Sequence, residues 1–222
     1  MKKISFLALA LMTGLAVFSQ DQPRLRTEMA RKTFFGIKAG ANWAKMDVDE
    51  FPGVNVNNKT SMHGGLFLNI PMGESLNFQP ELMYNGQGSK FSASTTVGTV
   101  TTIETYAQEL NYISLPLMFQ VRGTKGFFIE LGPQPSYLIS AKQEGPGTGH
   151  TDNKEAYDKF DIAMNGGIGW TSRVGFGINA RYSYGLSNVL EDGGGDNSPN
   201  DGLELKNRVI SVGLHYMFGA GK

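Results

Sequence analysis

The chain has no cysteine, no excess of charge of either sign and, beyond its first 19 residues, no run of 18 apolar residues. Without cysteine there can be no disulfide framework, no thiolate metal site and no thiol nucleophile. Lys and Arg number 20, as do Asp and Glu, so the chain lacks the basic surface that nucleic-acid binding needs. A membrane-spanning helix needs about 20 apolar residues, so none is expected downstream of residue 19.

What the chain does contain is glycine, 29 of 222 residues, together with 11% aromatic and only 18% charged residues. This composition favours a twisted all-β structure. The first 19 residues differ from the rest, because Lys2 and Lys3 precede a 15-residue apolar stretch, Ile4 to Phe18, that is short for a retained anchor. We interpret residues 1–19 as a secretory signal peptide and residues 20–32 as a polar periplasmic lead-in.

From residue 33 to residue 218 the apolar residues recur at every second position, the pattern of β-strands. In the first strand, for example, Phe35, Ile37 and Trp43 share one face, and Lys38 and Asn42 share the other. Eight such strands are joined alternately by short turns (71–75, 122–126, 171–174) and long polar connections (46–60, 92–105, 141–159, 187–206). Short periplasmic turns, long external loops and an even strand number are typical of outer-membrane barrels. The predicted fold is an eight-stranded antiparallel up-and-down transmembrane β-barrel with an occluded polar lumen, followed by a C-terminal extension, 219–222.

The polar face of each strand distinguishes a membrane barrel from a soluble, lipocalin-like one. It carries Gln, Asn, Ser and Gly with isolated charges, whereas the outside of a soluble barrel carries many Lys and Glu. The aromatic residues of the apolar face lie near the strand ends, as bilayer anchoring predicts. We expect two lipid-interface belts: Trp43, Tyr84, Tyr137 and Tyr184 near the long loops, and Phe35, Phe78, Trp170, Phe176 and Phe218 near the short turns.

Four prolines, Pro80, Pro116, Pro133 and Pro135, fall inside predicted strands. Proline cannot donate a hydrogen bond to a β-ladder, so bulges or lost pairing are expected there.

Several segments resemble the PorT-type outer-membrane β-barrel family: FGIKAGANW (35–43), FQPELMYNGQGSKF (78–91), LNYISLPLMFQV (110–121), FFIELGPQPSY (127–137) and FDIAMNGGIGW (160–170). The resemblance implies an integral outer-membrane barrel, and some relatives take part in protein secretion and gliding. The last strand is similar to the signal that the barrel assembly machinery reads, with Ser211, Gly213, Tyr216 and Phe218 at its characteristic positions. Outer-membrane lipid and that machinery are therefore the expected partners.

Five charged residues are predicted to face the lumen: Lys38, Glu81, Glu130, Asp161 and Arg181. We interpret them as a structural polar network, because isolated buried ions are very costly; a proton or ion path and carboxylate-pair catalysis are the alternatives. His63 and His215 also face inward, and His150 lies in a long loop, but no nucleophile motif accompanies them. The acidic stretches Asp47–Glu50 and Glu191–Asp201 are interpreted as solvated loops rather than calcium sites.

No catalytic, cofactor-binding or metal-binding residue is assigned from the sequence. The predicted function is that of a non-enzymatic integral outer-membrane protein with a structural or interaction role. It would act through its long extracellular loops on an unidentified protein partner, in an envelope or secretion assembly. The alternatives are a membrane-embedded lipid hydrolase or acyltransferase and a soluble ligand-binding barrel.

Overall fold

The computed structural model describes residues 32–48, 54–97, 100–145, 148–152, 157–187 and 205–220, almost all of them in strands. The strands are β1 (Phe34–Val48), β2 (Val54–Pro71), β3 (Leu76–Val97), β4 (Val100–Ser114), β5 (Leu117–Arg122), β6 (Phe127–Gly145), β7 (Thr148–Asp152), β8 (Phe160–Thr171), β9 (Phe176–Gly185) and β10 (Leu205–Met217). A single 3₁₀ turn, Thr124–Gly126, joins β5 to β6. No helix among the described residues is long and apolar enough to cross a membrane.

The sheet closes on itself because β1 pairs with β2 on one side and with β10 on the other. β4 and β5 are consecutive in the chain, and each pairs with β3 on one side and with β6 on the other. Together they form one strand of the barrel. β7 adds a short hairpin to β6. The barrel therefore has eight strands, all paired antiparallel, and the predicted fold class is confirmed.

Burial along each strand alternates in the inverse sense to a soluble protein. Leu66, Ile178 and Leu214 are at least 44% exposed, whereas Lys38, Glu81 and Asn165 are at most 5% exposed. The polar set therefore lines the interior and the apolar set forms the outer surface, the arrangement that a lipid-embedded barrel requires.

The interior is not polar throughout, although the strand pattern predicts a polar lumen. At the short-turn end, Phe34, Phe67, Met217 and Ala220 form an apolar cluster. Nearer the other end, buried apolar side chains are interspersed with buried polar ones such as Gln108 and Asn207; the apolar ones include Met83, Leu110, Tyr112, Leu138 and Val209. Charged and amide side chains predominate between the apolar cluster and this mixed zone.

The four strand prolines lie where the ladders are interrupted. The β2–β3 pairing is missing between Phe67–Glu81 and Ile70–Phe78, which is where the absent N–H of Pro80 faces β2. Pro116 lies in the break between β4 and β5. The carbonyl of Pro135 accepts a hydrogen bond from the N–H of Leu115, so the backbone of Pro135 faces the break between β4 and β5. Pro133, two residues earlier, faces the same side. The N–H groups that these two prolines lack would therefore have pointed into that break.

The strands extend well into connections that are predicted to be loops. In the predicted 46–60 loop, β1 runs to Val48 and β2 begins at Val54. The predicted 92–105 loop is a hairpin, with Thr96 paired to Thr101 and Val97 to Val100. These loop predictions were wrong because Thr, Ser and Asn segments can form a two-sided polar ribbon, whose pattern has no apolar alternation.

Candidate functional site

Four of the five predicted lumen charges form one ion cluster, which consists of Lys38, Glu81, Glu130 and Arg181. Lys38 Nζ lies 2.7 Å from Glu81 Oε1. Arg181 donates from Nη1 to Glu81 Oε2 and from Nη2 to Glu81 Oε1, both at 2.9 Å. Its Nε donates to Glu130 Oε1 at 2.9 Å, and its Nη2 also lies 2.8 Å from that oxygen. Two cations and two anions leave the ion cluster electrically neutral.

The ion cluster connects opposite walls of the barrel. From β9, which carries Arg181, to β3, which carries Glu81, the ring passes through three strands in either direction. Arg181 therefore spans the lumen, and its planar guanidinium holds one carboxylate bidentately while reaching a second. Gly167 makes room for Glu130, since a Cβ at position 167 would crowd its side chain.

Amide side chains on the short-turn side occupy the remaining hydrogen-bonding positions of the two carboxylates. Gln79 Nε2 donates to Glu81 Oε1 at 2.8 Å, and Gln120 Nε2 donates to Glu130 Oε2 at 3.0 Å. Asn69 Nδ2 donates to the oxygens of both glutamines. Arg122 extends this layer by donating to Gln120, and its guanidinium lies over the ring of Phe128 at 5.3 Å.

Arg122 is a lumen residue that the strand pattern did not predict, because position 122 was assigned to a turn. Arg122 is two residues after Gln120 and four after Met118, and both of these side chains are buried. If the predicted strand is extended to residue 122, the period-two alternation places Arg122 on the inner face.

Asp161 is buried but lies apart from the ion cluster. Its Oδ1 accepts from the hydroxyl of Ser187 at 2.5 Å, and its Oδ2 accepts from Asn207 Nδ2 at 3.1 Å. The structure therefore places four of the five predicted residues in one ion cluster and Asp161 in a separate group nearer the long-loop end.

The two inward histidines have neutral partners. His63 Nδ1 is 2.7 Å from Asn42 Oδ1, which also accepts from the hydroxyl of Ser211. His215 Nε2 is 3.0 Å from the hydroxyl of Thr171, and its ring lies edge-on between Phe67 and Phe128. Among the described residues, neither histidine is held by a carboxylate as a hydrolytic triad requires. The side chain of His150 lies outside the described set.

A cavity of about 20 Å³ lies against the ion cluster, lined by Lys38, His63 and Arg181 with Gln87, Asn179 and other side chains. That volume holds a water molecule or two. Gln87 Oε1 and Asn179 Oδ1 are buried without a protein partner, so water there would satisfy them. An ion cluster that crosses the lumen with so small a cavity beside it is the geometry of an obstructed barrel rather than of an open pore.

The aromatic residues assigned to the lipid interface lie on the outer surface. Trp43, Tyr84, Tyr137, Tyr184, Phe35, Phe176 and Phe218 are exposed, and Phe78 and Trp170 are half-exposed. Several contact one another, as Phe35 does Phe218 with ring centroids 5.7 Å apart. On β9 the two belts are separated by the eight steps from Phe176 to Tyr184. With a rise of about 3.3 Å and a tilt of about 40°, that corresponds to ~20 Å along the barrel axis, close to the ~25 Å apolar band of membrane barrels.

The predicted assembly signal lies in β10 and in the next residue, Phe218, beside the first strand. Tyr216 and Phe218 are exposed and meet edge-to-face, while Gly213 faces inward beneath His63. The chain then turns at Gly219, so that Ala220 packs inside the short-turn end. The structure does not test recognition by the assembly machinery, which stays a prediction.

The acidic stretch Glu191–Asp201 lies outside the described residues, as do Asp49 and Glu50. No group of three or more His, Asp or Glu side chains able to hold a metal ion occurs in the part of the chain that the structure describes.

Comparison with known proteins identifies one family. A family model described as outer membrane protein beta-barrel domain matches residues 18–191. Among solved structures, Neisserial surface protein A is 11% identical with a TM-score of 0.49, over 83% of this chain and 97% of that one. The attachment invasion locus protein Ail of Yersinia pestis is 12% identical with a TM-score of 0.47, over 84% and 99%. OprG of Pseudomonas aeruginosa is 12% identical with a TM-score of 0.39, over 85% and 97%. No curated protein matches the sequence.

Proposed function

The chain belongs to the outer membrane protein beta-barrel domain family, and we propose that it is a sealed, non-enzymatic integral protein of the outer membrane that acts through its extracellular portion. The observation that carries the proposal is the inverse burial of the barrel, with an ion cluster across its centre and an apolar outer surface. An ion cluster that joins opposite walls rigidifies the barrel and obstructs diffusion through it. The remaining place for a biological role is the part of the protein outside the lipid.

The finer parts of the proposal rest on the sequence. Residues 1–19 direct export and are removed, residues 33–218 form the barrel, and Ser211, Gly213, Tyr216 and Phe218 are read by the assembly machinery. The PorT-type segments support a role in an envelope or secretion assembly. N-terminal sequencing of the protein from outer-membrane fractions should begin at Gln20, and an N-terminus still carrying Lys2 would contradict the export prediction.

Lipid exposure of the apolar face is tested with spin labels in reconstituted bilayers. Labels at Leu66 and Ile178 should be strongly relaxed by lipid-dissolved oxygen, whereas a label at the buried Ser136 should not. Shielding of the two outer labels from oxygen would indicate a soluble barrel.

Obstruction of the lumen is tested by conductance in planar bilayers. The unaltered protein should conduct no more than the lipid alone, and Arg181→Ala should raise the conductance if the ion cluster obstructs the barrel. Stable channels formed by the unaltered protein would contradict the sealed state.

A further inference from the structure

The hairpin formed by β3 and β4 extends far above the lipid-facing belt. Tyr84 pairs with Ile113 at the level of the belt, and the register then continues without a shift to Val97 and Val100. Those 13 steps span ~43 Å along the strand, or ~30 Å along the barrel axis at a tilt of about 40°. The upper part of β4 therefore lies in the aqueous phase.

One edge of this upper segment has no neighbouring strand among those described. The ladder between β4 and β6 ends at the pair Ala107–Glu144, and β7 pairs with β6 instead. Leu115 donates its N–H toward β6, and backbone groups alternate in direction along a strand. The N–H and C=O groups of Thr101, Ile103 and Thr105 therefore face the open edge, while those of Thr102 and Glu104 face β3.

The sequence of this edge favours strand pairing. Residues 100–106 read VTTIETY, with β-branched residues at most positions, one charge, and neither proline nor glycine. Natural proteins protect exposed edges with charges, prolines or bulges, and an edge without them is a template for another strand. The edge of β2 that extends beyond its last pair with β1, residues 54–58, reads VNVNN instead, and asparagine is depleted in strands.

A second copy of the chain is a poor occupant of this edge. Two barrels in one membrane point the same way and are related by a two-fold axis along the membrane normal. Because each strand is tilted by about 40° from that axis, the two β4 edges would cross at about 80° and could not form a continuous ladder. A separate extended segment is free to choose its direction and register.

We propose that the open edge of β4, residues 100–105, binds an extended peptide segment of a partner protein by strand addition. The backbone of the segment pairs with Thr101, Ile103 and Thr105, so that affinity comes mainly from main-chain hydrogen bonds. The inference rests on the proposed function, because it names how the extracellular portion engages its partner.

Amide hydrogen exchange on the full chain in lipid nanodiscs tests the proposal. In the free protein, the amides of Thr102 and Glu104 should exchange at least ten times more slowly than those of Thr101, Ile103 and Thr105. The probe is the peptide FSASTTV, which copies residues 91–97, the segment that pairs with this stretch on its other side. Saturating peptide should slow the three odd-numbered amides at least tenfold and leave the even-numbered ones unchanged.

Two variants separate backbone pairing from general surface adhesion. Ile103→Pro removes one edge-facing donor and should weaken peptide affinity at least tenfold, whereas Ile103→Val keeps the donor and should bind like the unaltered chain. Gel mobility before and after boiling establishes that each variant is folded. Should Ile103→Pro fail to fold, the peptide carrying N-methyl groups at alternate residues replaces it and should not bind.

Several results would overturn the inference. They are odd-numbered amides already protected in the free monomer, protection that rises with protein concentration as a second copy would cause, absence of peptide binding, and equal loss of binding in the Val and Pro variants. The spin-label experiment fails or succeeds independently of these results, so failure of the edge proposal is distinguishable from failure of the membrane assignment.

Discussion

Replacing Arg181 by methionine should strongly destabilise the barrel, because Arg181 contacts both carboxylates of the ion cluster. Methionine fills part of the same volume but makes none of the contacts with Glu81 and Glu130. Lys38 remains 2.7 Å from Glu81, whereas Glu130 is left as a buried carboxylate that keeps the hydrogen bond from Gln120 but no ion pair. Removing one partner of a buried ion pair costs about 3–5 kcal/mol. We expect a loss of that size in the free energy of unfolding.

A second variant separates the stranded charge from the lost contacts. In Arg181→Met with Glu130→Gln, the remaining Lys38–Glu81 pair is neutral and no carboxylate of the ion cluster lacks a cation. The double variant should recover ~2–3 kcal/mol of the loss, the upper range of coupling energies between residues in contact. The matched control is Lys59→Met, because its partner Glu109 has a side chain that is 40% exposed. Water can solvate the carboxylate that this variant leaves behind, so the expected loss is about 1 kcal/mol or less.

Urea unfolding of the refolded protein in lipid vesicles measures these effects. Trp43 and Trp170 report unfolding by fluorescence, and gel mobility without boiling gives an independent folded fraction. A loss below ~1 kcal/mol for Arg181→Met, within the range of ordinary surface changes, would refute the idea that the ion cluster holds the lumen together. So would a double variant that loses the sum of the two single losses.

Three further outcomes are expected. Gly65→Ala should cost ~1–3 kcal/mol in urea unfolding, because its Cβ would meet the backbone of β3 inside the barrel. Gly64→Ala points to lipid, and its Cβ would make only ordinary van der Waals contacts, so it should be within ~0.5 kcal/mol of the unaltered chain. Equal losses would refute the assignment of faces. A chain ending at Phe218 should still fold but unfold at lower urea, since it lacks the packing of Ala220 inside the short-turn end; an unchanged midpoint would show that this packing contributes nothing. Trp170→Phe should lose the 2.9 Å hydrogen bond to the carbonyl of Lys125 and up to ~1 kcal/mol, and no change in the unfolding midpoint would contradict an anchoring role.

The fold could be predicted from the sequence because period-two alternation fixes which face each residue occupies. A slip of one residue would move every side chain to the other face, so a strand such as β9, with Phe176, Ile178 and Tyr184 on one side and Asn179 and Arg181 on the other, permits only one orientation. Alternation likewise identifies the charges that face inward. It does not say which charges meet, because that depends on the height of each residue once the barrel is tilted and closed.

The separation of Asp161 from the ion cluster illustrates that limit. Asp161 lies opposite Ser136 in the β6–β8 ladder, whereas Glu130 lies opposite Gly167, six positions lower on β8. At about 3.3 Å per residue, the two levels are ~20 Å apart along the strand. The period-two alternation predicts that both carboxylates face the lumen. Their different heights in the barrel follow only from the register between β6 and β8.

The extent of the strands was the larger error, and its cause is physical. Within the lipid band one face must be apolar, so the strand leaves a clear period in the sequence. Above the band the β3–β4 hairpin consists largely of Thr, Ser and Val, which satisfy the ladder without any alternation. A β-ribbon in water therefore resembles a loop by composition, and the features that distinguish them here are the β-branched run VTTIETY and its unbroken register with β3. The part of β4 that lacks this alternation also extends beyond the last described pair with β6, and its edge is the one proposed above to bind a partner.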